Sequence, residues 1–288
     1  MFYTTRPLLL HSRRRLPIEA RTKLAQDRIT LFDIPFDVPG RALSPSVWKT
    51  RYSLNYKRIP FVTQWVDLVD VEPLCKSLGI ATLSNRRFDN RQLYTLPVIY
   101  DPKSNHIVSD SMRIAQYLDE EYPDPEYPPL IKKGTEGLTQ GFIHARELAL
   151  APVHQFVVPL VAQRLHLSPR SQEYFRRTRE MWFKVGNLEE ILPDGDTRVV
   201  EWGKVKAGMD LIDSWYRAVG GTEGQSQQGW IMGGQPCFSD FNVAAALRWM
   251  KSVWGESSPE WSDVKLWNEG RWARMLDDCK AYENGVHL

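Results

Sequence analysis

The chain has 288 residues, 42% of them hydrophobic and 25% charged, an ordinary globular composition that excludes an intrinsically disordered protein. With 37 Lys and Arg against 35 Asp and Glu, the net charge of +2 lacks the basic excess of a nucleic-acid footprint, and no apolar run approaches the ~18–20 residues that span a bilayer. Cys75, Cys237 and Cys279 are widely spaced and form no CxxC, which excludes a disulfide scaffold, gives no metal pattern and fits a reducing compartment.

Residues 1–28 stand apart. Arg6, Arg13, Arg14, Arg15, Arg21, Lys23 and Arg28 face only Glu19 and Asp27. Such a stretch is either a disordered extension or a mitochondrial transit segment. The expected location is cytoplasmic, with mitochondrial import through residues 1–28 as the alternative.

From residue 29 the elements follow in order. Ile29–Asp33 is β-branched and aromatic and reads as a strand, closed by Pro35 and Pro39-Gly40. Ser44-Pro45 opens a helix with a capping residue followed by proline, and Lys57–Pro60 ends it. Phe61–Val66 is a second strand and Val71–Leu78 a short helix closed by Gly79. Residues 80–94 form a polar connection, long for a compact domain. Leu96–Asp101 and His106–Val108 read as a hairpin, and Ser109–Ser111 starts a helix bearing Met112, Ile114, Ala115, Tyr117 and Leu118 at helical spacing. Pro123, Pro125, Pro128 and Pro129 mark a linker over 122–130. Residues 131–288 then read as helical: an apolar segment at 145–161, helices at 172–183, 204–219 and 239–254, a polar loop at 220–229, and one or two helices over 261–282. A βαβα unit, a ββ hairpin and a helix over 29–121 make a thioredoxin-like α/β domain, joined to an all-α C-terminal domain.

Three places carry chemistry. Ser44 stands at a helix start, where unpaired N–H groups and the dipole favour an anion and a hydroxyl adds a donor. A free thiol with a pKa of about 8.5 is only about 3% thiolate at pH 7. Lowering that pKa by about two units makes roughly three quarters of it nucleophilic. Leu96-Pro97 opens a strand after the long connection, where a cis proline would present the neighbouring backbone to a peptide-like ligand. Asp110-Ser111 sits at the third helix start, where a ligand carboxylate and ammonium meet a hydroxyl, amides and a carboxylate. Each place also has a plain reading: an N-cap at Ser44, a trans proline at 97, an acidic cap at 110.

In this order and spacing the three resemble a cytosolic glutathione transferase. Pro39-Gly-Arg-Ala-Leu-Ser-Pro-Ser-Val-Trp-Lys-Thr-Arg-Tyr52, Ser111-Met-Arg-Ile-Ala-Gln-Tyr-Leu-Asp119 and Trp267-Asn-Glu-Gly-Arg-Trp272 narrow the resemblance to the fungal FuA class and the bacterial β-etherases, over about 29–283. The resemblance implies glutathione as co-substrate and no metal. It gives Ser44, with Ser46 as second donor, at the sulfur, and Leu96, Pro97, Asp110 and Ser111 on the tripeptide. It also implies a homodimer. Omega-type members carry Cys where this chain has Ser44, so thiol–disulfide exchange is not the expected main activity. The superfamily's capping box of the central C-terminal helix reads here as Ser239-Asp-Phe-Asn242, with Asn in place of the acid.

A second substrate, apolar and aromatic, is expected in the cleft between domains. Its walls are read from the first-strand loop, Phe36, Val38, Pro39 and Arg41, and from His144, Leu148, Pro152 and Phe156, four residues apart on one helical face. Leu148 and Phe156 read equally as core. His144, His154 and His166 lack metal-ligand spacing. Of the tryptophans in the helical half, one or two are expected at the cleft. The implied activity is transfer of glutathione to an aromatic electrophile or cleavage of an aryl ether. The alternatives are a non-catalytic protein that sequesters hydrophobic compounds and a transferase-like tailoring enzyme of a biosynthetic pathway.

Overall fold

The computed structural model describes residues 13–15, 24–80, 93–162, 168–219 and 229–284. Most of the 80–94 connection, the 220–229 loop, His166, residues 1–12 and 16–23 lie outside them.

Five strands form one mixed sheet: β1 (Arg13–Arg15), β2 (Ile29–Asp33), β3 (Phe61–Trp65), β4 (Val98–Asp101) and β5 (His106–Ser109), in the order β1–β5–β4–β2–β3. β2 runs parallel to β3 with Ile29 opposite Phe61, while β4 runs antiparallel to both β2 and β5. Every residue of β2 is buried, because the strand is central and covered on both faces. Helices α1 (Pro45–Tyr56), α2 (Val71–Ser77) and α3 (Ser111–Glu121) complete the thioredoxin-like domain. Apart from one strand, its elements are those read from the sequence.

That strand is β1. Arg13–Arg15 was expected in an extension outside the domain, but it pairs antiparallel with β5, Arg13 opposite Val108 and Arg15 opposite His106. The outer edge of β5 presents unpaired N–H and C=O groups, and a three-residue strand satisfies them through its backbone, whatever its side chains.

The second half is helical: α4 (Glu136–Ala149), α5 (His154–Val161), α6 (Pro169–Phe183), α7 (Gly195–Arg217), α8 (Phe238–Trp254) and α9 (Pro259–Cys279). The apolar stretch at 145–161 divides around a 3₁₀ turn at Ala151–Val153, because Pro152 has no N–H to continue α4. In α9, Trp267–Gly270 leave the helical conformation and kink the helix. A side chain at Gly208 of α7 would stand 2.0 Å from the carbonyl oxygen of Ala149, so α4 and α7 meet at a contact only glycine permits.

The capping box of α8 lies two residues earlier than read. Cys237 is the cap, and Asp240 at the third helical position accepts its N–H at 2.9 Å. Asp240 also accepts the Ile231 N–H and the Tyr216 hydroxyl, each at 2.9 Å. The acid of the box is therefore present, and Asn242 belongs to the helix interior.

α1 is held from behind by the helical domain. Tyr52 stacks on Phe241 of α8 at 5.6 Å between ring centroids, and Tyr56 meets Phe241 at 5.4 Å and Tyr282 at 5.3 Å. Asn55 donates to the Tyr282 carbonyl at 2.7 Å, and the Tyr52 hydroxyl donates to Glu283 at 3.2 Å. The last described turn of the chain thus packs on the helix that opens at Ser44.

Candidate active site

Two cavities lie between the domains and share Ser44, Ser46 and Lys49 as a common wall. One, of about 470 Å³, runs past Leu96, Pro97, Asp110 and Ser111. The other, of about 490 Å³, runs under α4, α5, α6 and α8.

Ser44 and Ser46 are half-buried at the start of α1. The Ser44 carbonyl accepts the N–H groups of Val47 and Trp48 at 3.1 and 3.0 Å, so its backbone begins the helix. Its hydroxyl makes no capping bond. The plain reading of Ser44 as a side-chain cap therefore does not hold. Ser44 and Ser46 line both cavities where they meet, at the open end of the helix.

The Leu96–Pro97 peptide is cis, and the Pro97 carbonyl accepts the Asp110 N–H at 3.3 Å. Asp110 caps α3 at a φ of 78°, its Oδ1 accepting the N–H groups of Met112 and Arg113, both at 3.1 Å. Ser111 is the first residue of that helix. Leu96, Pro97, Asp110 and Ser111 thus stand together along one wall of the first cavity.

A buried ion pair braces the junction. Arg51 of α1 donates to Oδ2 of Asp33 at 2.9 and 3.2 Å and to Thr63 at 2.9 Å. Its guanidinium lies among the rings of Trp48, Phe61 and Trp65. Burial pushes the Asp33 carboxyl up to about 6, against the pull of Arg51. The pair fixes the end of β2 relative to α1, and so the course of the loop to Ser44.

The second cavity departs from the sequence reading. Of the four loop residues read as its wall only Phe36 lines it, with Ile34 of the same loop beside it. Val38, Pro39 and Arg41 form the tip of a turn closed by bonds between Phe36 N–H and the Arg41 carbonyl (2.8 Å) and between Arg41 N–H and the Val38 carbonyl (2.9 Å). This turn carries Arg41 over Trp65 instead, 5.1 Å from the ring centre.

On α4, His144 is exposed and Leu148 is 64% exposed. The inward face is rotated by about one residue and presents Arg146, Glu147 and Leu150. Beyond the 3₁₀ turn the spacing lapses: Phe156 is core, against Trp202, while Val153 and His154 reach the cavity. Leu148 was read as facing inward and is exposed, while Arg146, which the sequence reading did not place, is buried at the cavity. Trp182 and Trp249 line the same cavity, each about 6 Å from the His154 ring.

The sequence reading missed Lys49, Arg146 and Asn242, which are 9%, 8% and 1% exposed and all line the second cavity. Lys49 follows Ser46 by three residues on the same helix, a spacing that could have flagged it. Asn242 was singled out, but as a cap residue. Burial, then Arg146, draws the Lys49 ammonium down to about 8; Glu147 and Asp110 oppose this. The three cysteines are no nucleophiles of this site: burial raises Cys75 to about 11 and moves Cys237 and Cys279 well up. Among the described residues no cluster of three His, Cys, Asp or Glu could hold a metal, and no helix is long and apolar enough to cross a membrane.

Known proteins are similar to this chain over most of its length. Residues 43–121 match a family profile described as the N-terminal domain of glutathione S-transferase, and residues 138–282 match the C-terminal domain of the same family. Glutathione S-transferase-like protein ustS of Aspergillus flavus is 30% identical over 257 residues, 86% of each chain. The crystal structure of the glutathione S-transferase CsGST63524 of Ceriporiopsis subvermispora in complex with glutathione is 36% identical with a TM-score of 0.81, over 91% of this chain and 100% of the other. Glutathione transferase GSTFuA3 of Phanerochaete chrysosporium is 35% identical with a TM-score of 0.79, over 90% and 99%.

Proposed function

The chain belongs to the glutathione S-transferase family, and from that premise we propose that it binds glutathione in the first cavity and transfers it to an apolar, aromatic electrophile in the second. The observation that carries the reading is the shared wall: the two cavities meet at Ser44 and Ser46, at the open end of α1. A tripeptide lying along Leu96–Pro97 exchanges backbone hydrogen bonds there. Its γ-glutamyl end reaches Asp110 and Ser111, where Oδ2 of Asp110 takes the ammonium and the start of α3 takes the carboxylate. That pose brings the sulfur to Ser44, whose hydroxyl donates to the thiolate while the helix N-terminus favours its charge.

The thiolate attacks the electrophilic carbon. A C–S bond forms, the bond to the leaving group breaks, and that group departs with the electron pair. With an aryl ether the departing aryloxide takes its proton from water. Ser46, two residues on, is a second donor to either anion. A homodimer belongs to the same reading, and light scattering should give twice the chain mass of 33.4 kDa.

The test is glutathione consumption against a panel of aromatic electrophiles and aryl ethers, run beside displacement of an apolar dye. Turnover that saturates with both partners supports a transferase. Dye binding with no consumption anywhere on the panel would make the protein a binder of hydrophobic compounds instead.

A further inference from the structure

The second cavity is walled by Phe36, Phe175, Trp182 and Trp249, yet three of its buried side chains are cationic or amide donors. Arg146 donates through Nη2 to the amide oxygen of Asn242. That bond satisfies neither group. Arg146 Nε and Asn242 Nδ2 are buried with no hydrogen-bond partner. The carboxylate nearest to Arg146 is Glu147, at 3.7 Å and half exposed, with its other face to solvent. Lys49, from the opposite domain, lines the same cavity. Buried donors in native proteins are almost always paired, and a buried cation without a partner is strongly disfavoured. If these residues served only the fold, their hydrogen bonds would close among themselves. They converge instead beside Ser44 and Ser46.

We propose that the second substrate carries an anionic oxygen group, a carboxylate or phenolate, held by Arg146, Lys49 and Asn242 while its aromatic body packs on Trp182, Trp249 and Phe36. The proposal rests on the second cavity being the electrophile site and names the class of compound it takes. An arginine fork and an amide suit two oxygens in a plane, and a lysine adds a point charge from the other domain. The lowered Lys49 ammonium agrees with this: burial is its main cause, and the neighbouring Arg146 adds to it against Glu147 and Asp110. The other charged or titratable groups lining the two cavities with Lys49 are Glu72, Tyr94, Asp110, Glu147, His154, Tyr174 and Arg179. Glu147 is the acid beside the donors, 3.7 Å from Arg146, and its half-exposed carboxylate leaves Arg146 Nε and Asn242 Nδ2 without a hydrogen bond.

The experiment uses the full chain and tryptophan fluorescence, with naphthalene-2-carboxylate, its neutral carboxamide and a dinitronaphtholate as probes. The carboxylate or the naphtholate should bind at least tenfold more tightly than the carboxamide, and their relative rank tells which oxygen anion fits. Arg146→Gln and Lys49→Met should each reduce that preference to twofold or less, and Lys49→Arg should restore most of it. If Arg146→Gln does not fold, the Lys49 pair decides. Glutathione affinity is measured in parallel by calorimetry. Equal binding of carboxylate and carboxamide, as expected if the donors hold only water, overturns the proposal. So does a loss of glutathione affinity in the variants as large as the loss for the naphthoate, because the donors would then serve the tripeptide. A wild type that ignores glutathione but keeps the anion preference supports this subsite and overturns the transferase reading.

Discussion

Lys57 and Asp119 form an ion pair at 2.8 Å, with the lysine side chain fully buried. The ammonium also donates to the Pro128 carbonyl at 2.9 Å, and the carboxylate accepts the N–H groups of Leu130 and Ile131. One pair therefore ties the end of α1, the end of α3 and the proline-rich linker together. Asp119→Asn should cost about 3–5 kcal/mol, the scale for leaving a buried charge without its partner, because it strands the fully buried Lys57 ammonium. Lys57→Met should cost less, because the Asp119 it leaves is partly exposed and keeps the Leu130 and Ile131 N–H groups. Urea denaturation of the two variants checks the order, and an Asp119→Asn loss below about 1 kcal/mol would refute the account.

Ser44→Ala should lower glutathione-dependent turnover by about ten- to a hundredfold, the equivalent of losing roughly 1.5–3 kcal/mol from a hydrogen bond to a charged group. The pH of half-maximal rate should rise with it. Thermal stability should hardly change, since the hydroxyl caps nothing. A variant that keeps its rate but melts earlier would show that Ser44 serves the helix and not the sulfur, and Ser46→Ala would be the next variant to measure.

Asp110 and Ser111 should separate. Ser111→Ala should raise the glutathione KM with little change in kcat or stability, as when binding common to ground and transition states is lost. Asp110→Ala should raise KM too, and should also lower stability by about 1 kcal/mol, because its carboxylate caps α3. Steady-state kinetics and thermal melts on both variants test this. Wild-type glutathione affinity in both would contradict the assignment of this wall to the tripeptide.

Lys49 should leave a mark on the pH dependence of stability. Its folded value of about 8 lies below the ordinary 10.5, so the unfolded chain holds this proton more tightly. The burial cost is fully present below about pH 8 and is relieved as pH rises from there toward 10.5. Lys49→Met should therefore be the more stable protein at pH 7, by up to about 3 kcal/mol, with the advantage shrinking toward pH 10. Denaturation at pH 7 and pH 9.5 reads the difference directly. A constant gap would mean that the ammonium reaches water.

The first domain was legible because its signals are local. The β-branched and aromatic runs, Ser44-Pro45 and Asp110-Ser111 each act within a few residues of chain, and tertiary packing did not override them. The second cavity was hard to read for a physical reason. Periodicity assigns apolar residues to the inside, and α4 buries Arg146 while exposing Leu148. An arginine and an imidazole were expected at this cleft as Arg41 and His144; the arginines there are Arg146 and Arg179, and the imidazole is His154. A polar cavity wall inverts the hydrophobic pattern that helix reading relies on. Asn242 failed differently: a cap placed two residues late turned a cavity residue into a cap residue. Arg13–Arg15 gave no signal because edge pairing uses backbone groups alone.

The packing of Tyr282 and Glu283 on α1 also has a consequence in time. Asn55 and Tyr282 are separated by 227 residues of chain, and Phe241, the other main cover of this helix, is nearly as far from it. At roughly 5–20 residues per second, the ribosome needs on the order of 10–45 s to make that stretch. For this interval the nascent thioredoxin-like domain presents Tyr52 and Tyr56 uncovered, on the helix that opens at Ser44. The amino-terminal half is therefore synthesised first but finished last, and its exposed aromatic face is what a chaperone would encounter on the growing chain.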